Sequence, residues 1–258
     1  MEPGFAWPDR IQAAVSLTYD DGLPVHCTLV DPLLRQHGLL ATFYPMVQSD
    51  LCRHPEKWKH LAAAGHELGN HTLFHPCRQG RPNPYPWLDD RYDLRTYSLA
   101  HMRSELELAN LVLYLLDGLR ERSYGSTCSD MTIGRGGTEE PLEPLLADLF
   151  VAARGKVTGQ ATQPGHDFNL FDIGCVSGDG RSPEELIQLV ARTCDSCGWA
   201  ILMFHGIGAG THDLYLDSDV HERFVAWLAQ QQAVWTAPVR TIAQYIRQHM
   251  QATPRPDG

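Results

Sequence analysis

From Gln12 to Met250 this chain alternates short stretches of β-favouring apolar residues with longer stretches of helical apolar spacing. That alternation constrains the fold most, because strands separated by helices pair in parallel with the helices packed outside the sheet. Gln12 to Tyr19 reads as the first strand, Leu39 to Met46 as the second and His66 to Asn70 as a short third. Arg122 to Cys128, Phe171 to Val176, the strongly apolar Trp199 to Phe204 and Ala233 to Thr236 continue the series. Between them the spacing predicts helices over Val25 to His37 (closed by Gly38), from Pro55 to a stop at Gly65, and over Leu94 to Leu119. Further helices are predicted over Pro141 to Ala153 (ending at Arg154-Gly155), Pro183 to Cys197 (introduced by Ser182), Val220 to Gln231 and Ile242 to Met250. Pro76 to Trp87 is proline-rich and aperiodic, which makes it a long loop and, lying just after a histidine pair, a cleft wall.

With 258 residues, 43% of them hydrophobic, the chain can bury a full core. It is read as a single domain, 1–258, with its core over about 12–248. The balance of 21 basic against 31 acidic residues argues against partnership with nucleic acid or an anionic membrane surface. No apolar run is long enough to span a bilayer. Met1 to Pro8 shows neither the charged start nor the apolar stretch of a signal peptide, so the expected location is cytoplasmic. The seven cysteines, odd in number and scattered, suit reduced thiols, and Cys194-Asp195-Ser196-Cys197 is read as ordinary helix positions.

Chemistry-bearing groups sit at the C-terminal ends of separate strands: Asp20 and Asp21, His71 and His75, and His205. In a barrel or open α/β sheet those ends share one face, where sites are built. Two adjacent carboxylates with two histidines four residues apart compose most of a hydrolytic metal site, the spare carboxylate serving as base. Taken singly, each has a plainer reading: a turn at Asp-Asp-Gly, a helix surface for the His pair, a structural role for His205. Their order along the chain, each at a strand end, weighs for a site. His66 reads as a supporting residue, His26, His166 and His212 as cleft or surface, and His101 and His221 as solvated helix positions. Tyr85 and Trp87 are candidates for stacking on a sugar ring, while Trp199 reads as core.

Thr18-Tyr19-Asp20-Asp21-Gly22 resembles the TFDDG motif of the polysaccharide deacetylases, the NodB-homology enzymes of carbohydrate esterase family 4. His71-Thr72-Leu73-Phe74-His75 matches their H-[ST]-x-x-H motif in the context Gly65 to Asn70, and Leu202 to His205 resembles their late strand ending in histidine. The resemblance implies a distorted (β/α) barrel of seven strands holding one divalent ion, with Zn2+ first and Co2+ or Ni2+ as alternatives. It implies Asp21, His71 and His75 as ligands, Asp20 as base and His205 as the acid for the leaving group. The family's R-x-P-Y segment falls at Arg122-Ser123-Tyr124-Gly125, where the proline is missing and the spacing is one residue short. Arg122 would orient the base in a shifted register, or this subgroup does without that arginine; the backbone N–H near Tyr124 would help hold the oxyanion. The family's later aspartate is matched by either Asp172 or Asp179. The implied activity is removal of acetyl groups from an acetylated oligo- or polysaccharide, at an N-acetyl amino sugar or an O-acetyl ester. Alternatives on the same scaffold are hydrolysis of a small amide, cyclic imide or formamide, and carbohydrate binding without catalysis. The oligomeric state is open.

Overall fold

The computed structural model describes residues 5–80, 85–162, 164 and 168–251. Its strands are β1 (Ala13–Asp20), β2 (Thr42–Tyr44), β3 (Glu67–Leu68), β4 (Ser123–Gly125), β5 (Ala152–Val157), β6 (Ile173–Ser177) and β7 (Trp199–Phe204). They pair in parallel in the order β3-β2-β1-β7-β6-β5-β4. Just past β3 the sheet curls onto its own other edge. Asn70 N–H donates to Ser123 C=O (2.9 Å) and Gly125 N–H donates to Asn70 C=O (3.0 Å). This closure is one bridge instead of a ladder, so the result is a distorted (β/α) barrel. β8 (Val234–Thr236) lies beside the first half of β1, and β2 beside its last residues.

β1 is buried along its whole length, as expected of a strand flanked on both edges and covered on both faces. Helices α1 (Asp31–Gln36), α2 (Pro55–Ala63), α3 (Leu99–Asp117), α4 (Glu143–Leu149), α5 (Pro183–Asp195), α6 (Ser218–Leu228) and α7 (Val239–Gln251) surround the sheet. Leu17, Phe43 and Leu202 of the strands pack with Leu34, Trp58, Leu186 and Phe224 of the helices in the largest core cluster. Each such side chain contributes roughly 1.5–3 kcal/mol when fully buried. α5 starts on a capping box: Glu185 N–H donates to Ser182 Oγ (3.2 Å), and Ser182 N–H donates to the Glu185 carboxylate (2.8 Å).

Several sequence expectations are corrected. The helix predicted over Pro141 to Ala153 stops at Leu149, Phe150 is extended, and Arg154 and Gly155 lie inside β5. Ala152 and Ala153 carry no local strand preference; their conformation is imposed by the ladder to β4 and by the Ala153 N–H bond to Leu170 C=O. α3 begins at Leu99, capped by Ser98, while Leu94–Thr96 forms a separate 3-10 turn. The first predicted helix opens with a π turn over His26–Val30. His221 is buried, not solvated, with Nε2 2.8 Å from Tyr19 Oη. The thiols are not all reduced: Cys77 and Cys128 form a disulfide, whereas Cys194 and Cys197 are free. Among the described residues no helix is long and apolar enough to cross a membrane.

Candidate metal centre and active site

The C-terminal ends of the strands open into a cleft of about 810 Å³, lined among others by Asp20, Asp21, His71, His75 and His205. β1 ends on Asp20, and the chain then reverses through positive φ at Asp21 (72°) and Gly22 (68°). A side chain at Gly22 would place its Cβ 2.3 Å from Ser49 Oγ and 2.9 Å from Pro45 Cβ, so glycine alone passes here. The reversal sends two sequence-adjacent carboxylates in different directions. Asp20 stays inside the barrel mouth, and Asp21 turns toward the histidines.

His71 follows the closing bridge at Asn70, and its Nδ1 lies 2.8 Å from Gly125 C=O. A carbonyl only accepts, so Nδ1 carries the proton and the Nε2 lone pair is available. The segment to His75 is not helical. Thr72 and His75 both have positive φ, 66° and 57°. Thr72 N–H donates to Asn70 Oδ1 (2.8 Å), and His75 N–H to Thr72 Oγ1 (2.9 Å). Buried Glu105 accepts from Leu73 N–H (3.1 Å) and Phe74 N–H (3.2 Å). So folded, the loop brings His71 Nε2 to 3.5 Å and His75 Nε2 to 3.3 Å from the same oxygen, Asp21 Oδ1.

Asp21 Oδ1 and His71 Nε2 are buried and without a hydrogen-bond partner among the described residues. Leaving such atoms unmatched costs about 1–3 kcal/mol each. One carboxylate oxygen and two imidazole nitrogens, all within 4.8 Å of one another, form a donor set suited to a divalent ion. Burial pushes the Asp21 carboxyl up, but the two imidazoles beside it outweigh that and hold the group well below the usual range.

Asp20 is 2% exposed and gripped by Arg154 of β5. Nη1 donates to Oδ1 at 2.7 Å and Nη2 to Oδ2 at 2.5 Å, while Nη1 also reaches Thr18 Oγ1 at 2.9 Å. Burial alone would raise the Asp20 pKa; the charge and hydrogen bonds of Arg154 bring it below its ordinary value. On the other side of the cleft, Asp179 accepts from both the backbone N–H (3.0 Å) and Nδ1 (2.8 Å) of His205. Burial opposes charge on His205, but Asp179, with Asp20 and Asp21 nearby, raises its pKa to about 9. His205 C=O in turn faces His26 Nε2 at 2.9 Å, and burial lowers His26 to about 4, keeping it neutral.

The guanidinium that holds Asp20 is therefore Arg154, not Arg122. Arg122 lies away from Asp20, donating to Leu68 C=O (2.6 Å), to both Asp117 oxygens (3.1 and 3.2 Å) and to Leu119 C=O. There it ties β3 and β4 to the end of α3. Sequence reasoning missed Arg154 because it treated the preceding alanines as helix; an arginine set among apolar residues was the available signal. Asp179, one of the two aspartates considered, is the one beside His205. Tyr124 is fully buried, bridged to both Ala153 and Asn70 and packed on Phe150 (5.5 Å), and it does not line the cleft. Ser126, Cys128 and Ser129, just after it, do.

Tyr85 and Trp87 form a cleft wall, their rings 5.6 Å apart, with Trp87 62% exposed and 5.8 Å from His75. Part of the Pro76 to Trp87 loop, residues 81–84, and His166 lie outside the described residues. The Cys77–Cys128 disulfide pins the start of this loop to the segment after β4. His66 sits outside the cleft, 3.3 Å from Asp31.

The sequence pattern of the family described as polysaccharide deacetylase matches residues 9–125. Over that span the chain is similar to the polysaccharide deacetylase family. The span includes Asp20, Asp21, His71 and His75 and stops short of Arg154, Asp179 and His205. The chain is 29% identical over 151 residues to a gellan lyase of a Bacillus species, covering 58% of this chain and 5% of that protein. It is 41% identical over 64 residues to a chitooligosaccharide deacetylase of Bradyrhizobium sp. (strain ANU 289), covering 24% of this chain and 29% of that one. In both cases the match spans less than a third of the relative's own length. A crystal structure from Mycobacterium smegmatis, named only provisionally as a polysaccharide deacetylase, shares the fold. It has a TM-score of 0.68 and 18% identity, over 99% of this chain and 96% of that one.

Proposed function

We infer that this protein hydrolyses acetyl groups from an acetylated oligo- or polysaccharide, with a divalent cation held by Asp21, His71 and His75. The observation that carries this reading is one cleft mouth holding three arrangements at once: Asp21 Oδ1 facing two imidazole Nε2 atoms, Asp20 clasped by Arg154, and His205 clasped by Asp179. A bound zinc-type ion supplies Lewis acidity, polarising the acetyl carbonyl and making water easier to deprotonate. The other roles belong to the chain. Arg154 keeps Asp20 ionised and fixes its plane, and a carboxylate with about four acceptor directions retains room for one more proton. Asp20 takes a proton from the attacking water as its oxygen bonds to the carbonyl carbon. Asp179 holds His205 through Nδ1, which leaves Nε2 as the ring atom that delivers a proton to the departing nitrogen or oxygen. The C–N or C–O bond breaks, and acetate and the free amine or alcohol leave.

Tyr85 and Trp87 offer flat faces beside His75 on which a sugar ring can stack. The Bradyrhizobium relative's name supports an N-acetylated chitooligosaccharide as the first substrate to try. The test is acetate release from chitooligosaccharide and, in parallel, from acetylated xylan, by native protein, by protein stripped with a chelator, and by stripped protein reloaded with zinc. Loss and recovery of acetate release are expected. Full activity after exhaustive metal removal, or no acetate from either substrate with zinc restored, would overturn the reading.

A further inference from the structure

The loop after His205 folds back over the metal-binding carboxylate. Gly206–Ile207 pairs with Tyr215–Leu216 in a short parallel ladder, and Gly206 N–H donates to Leu214 C=O (3.0 Å). A Cβ at Gly206 would lie 2.4 Å from Thr211 Oγ1 and 2.9 Å from His212 Cβ, so the missing side chain lets this loop close against His205. The closure lays the His212 ring flat over the His205 ring, 5.2 Å between centroids and 8° between planes. His212 Nε2 then lies 3.5 Å from Asp21 Oδ2. The two oxygens of Asp21 are thus divided: Oδ1 faces His71 and His75, and Oδ2 faces His212.

We propose that His212 is a positioning residue that holds the outer oxygen of Asp21 and thereby presents the inner one to the cation. This rests on the metal reading given above. His212 Nδ1 lies 3.0 Å from both Leu214 N–H and Leu214 C=O; in the tautomer that accepts from the N–H, the ring proton sits on Nε2, toward Asp21. Asp21, ionised, can only accept, and the proton on Nε2 suits it. Outer contacts of this kind, imidazole to the free oxygen of a ligating carboxylate, fix the orientation of ligands and are typically worth 10–100-fold in metal affinity. At 30% side-chain exposure, His212 is no core residue whose loss would leave a cavity.

The test compares the native full chain with H212A, H212F and H212Q, each stripped of metal and titrated with zinc against a chromophoric chelator. H212F keeps a flat ring over His205 and loses the donor; H212Q loses the ring and keeps an amide donor. Zinc affinity is expected to fall about 10–100-fold in H212A and H212F and to recover largely in H212Q. If H212A fails to fold, H212F against H212Q carries the comparison. Affinity within about twofold of native in H212F would overturn the role, as would H212Q behaving no better than H212F. A native chain that binds no zinc overturns the metal reading as well, so the two failures are told apart in the native titration.

Discussion

Arg154→Met removes the donor of a fully buried ion pair and nearly preserves its stem. In the native protein Arg154 reaches both oxygens of Asp20 at 2.7 and 2.5 Å and lies 4.8 Å over the Tyr44 ring. Methionine keeps some packing on Tyr44 and donates nothing, so Asp20 becomes a buried carboxylate without its guanidinium. Breaking a buried pair from one side costs about 3–5 kcal/mol. At roughly 2–4 °C per kcal/mol for a chain of this size, the melting temperature should fall by roughly 6–20 °C. The pH dependence has a definite sign. The native Asp20 pKa is depressed, so its contribution is present above the unfolded value of about 3.9 and is lost as pH falls through the lower folded value. In the variant, burial acts without Arg154 and the pKa rises. The deficit is then largest where Asp20 is ionised and shrinks as pH falls through that raised value. Urea denaturation of native, R154M, D20N and R154M/D20N protein at about pH 7 closes the cycle. The double variant should be more stable than the sum of the single losses predicts, with a coupling on the order of 1–3 kcal/mol. Additivity within about 0.5 kcal/mol would refute the claim that these two side chains are each other's partners.

Asp20→Asn should lower turnover about 100- to 10,000-fold while zinc content measured by elemental analysis stays at the native level. Loss of zinc in D20N would instead make Asp20 a ligand. His205 is raised to about 9, so its charge, and the stability it brings, are complete below about 6.5 and are lost as pH rises through about 9. Asp179→Asn should therefore move the basic limb of the kcat profile to lower pH by about one unit or more, and an unmoved limb would remove Asp179 from the proton path. Reducing the Cys77–Cys128 bridge, which spans 51 positions, should cost up to about 4 kcal/mol, read as a lower urea midpoint in dithiol reductant. Identical midpoints with and without reductant would show that the bridge does not constrain the chain.

The sequence was most legible where local and tertiary preferences agree. Trp199–Phe204 is a strand at its predicted bounds because an apolar β-favouring run ends on His205-Gly206. Pro183–Asp195 begins where Ser182 caps it. Asp20, Asp21, His71, His75 and His205 could be gathered before any coordinates because strand ends of a parallel barrel share one face, and the structure brings them to one cleft. What stayed hidden was decided by partners distant in sequence. Ala152 and Ala153 favour a helix until β4 pairs with them, so Arg154 was lost with its strand and Arg122 took its place in the expectation. Nothing local joins Cys77 to Cys128. His221, predicted on a solvated face, is drawn inward because Tyr19 Oη requires a partner inside the core.

The spacing around Asp21 also fits the proposed cation. The observed separations are 3.5 and 3.3 Å, both to Oδ1. For a tetrahedral zinc ion with bonds of about 2.0–2.1 Å, simple geometry puts neighbouring ligand atoms roughly 3.3–3.4 Å apart. His71 gives the same answer independently, because a proton on Nδ1 toward Gly125 turns the bare Nε2 toward an oxygen that also only accepts. Two acceptors facing each other at that range repel unless positive charge lies between them. Asp20 and His205 already have their counter-charges in Arg154 and Asp179, so in the proposed reading the cation belongs with Asp21 and its two histidines.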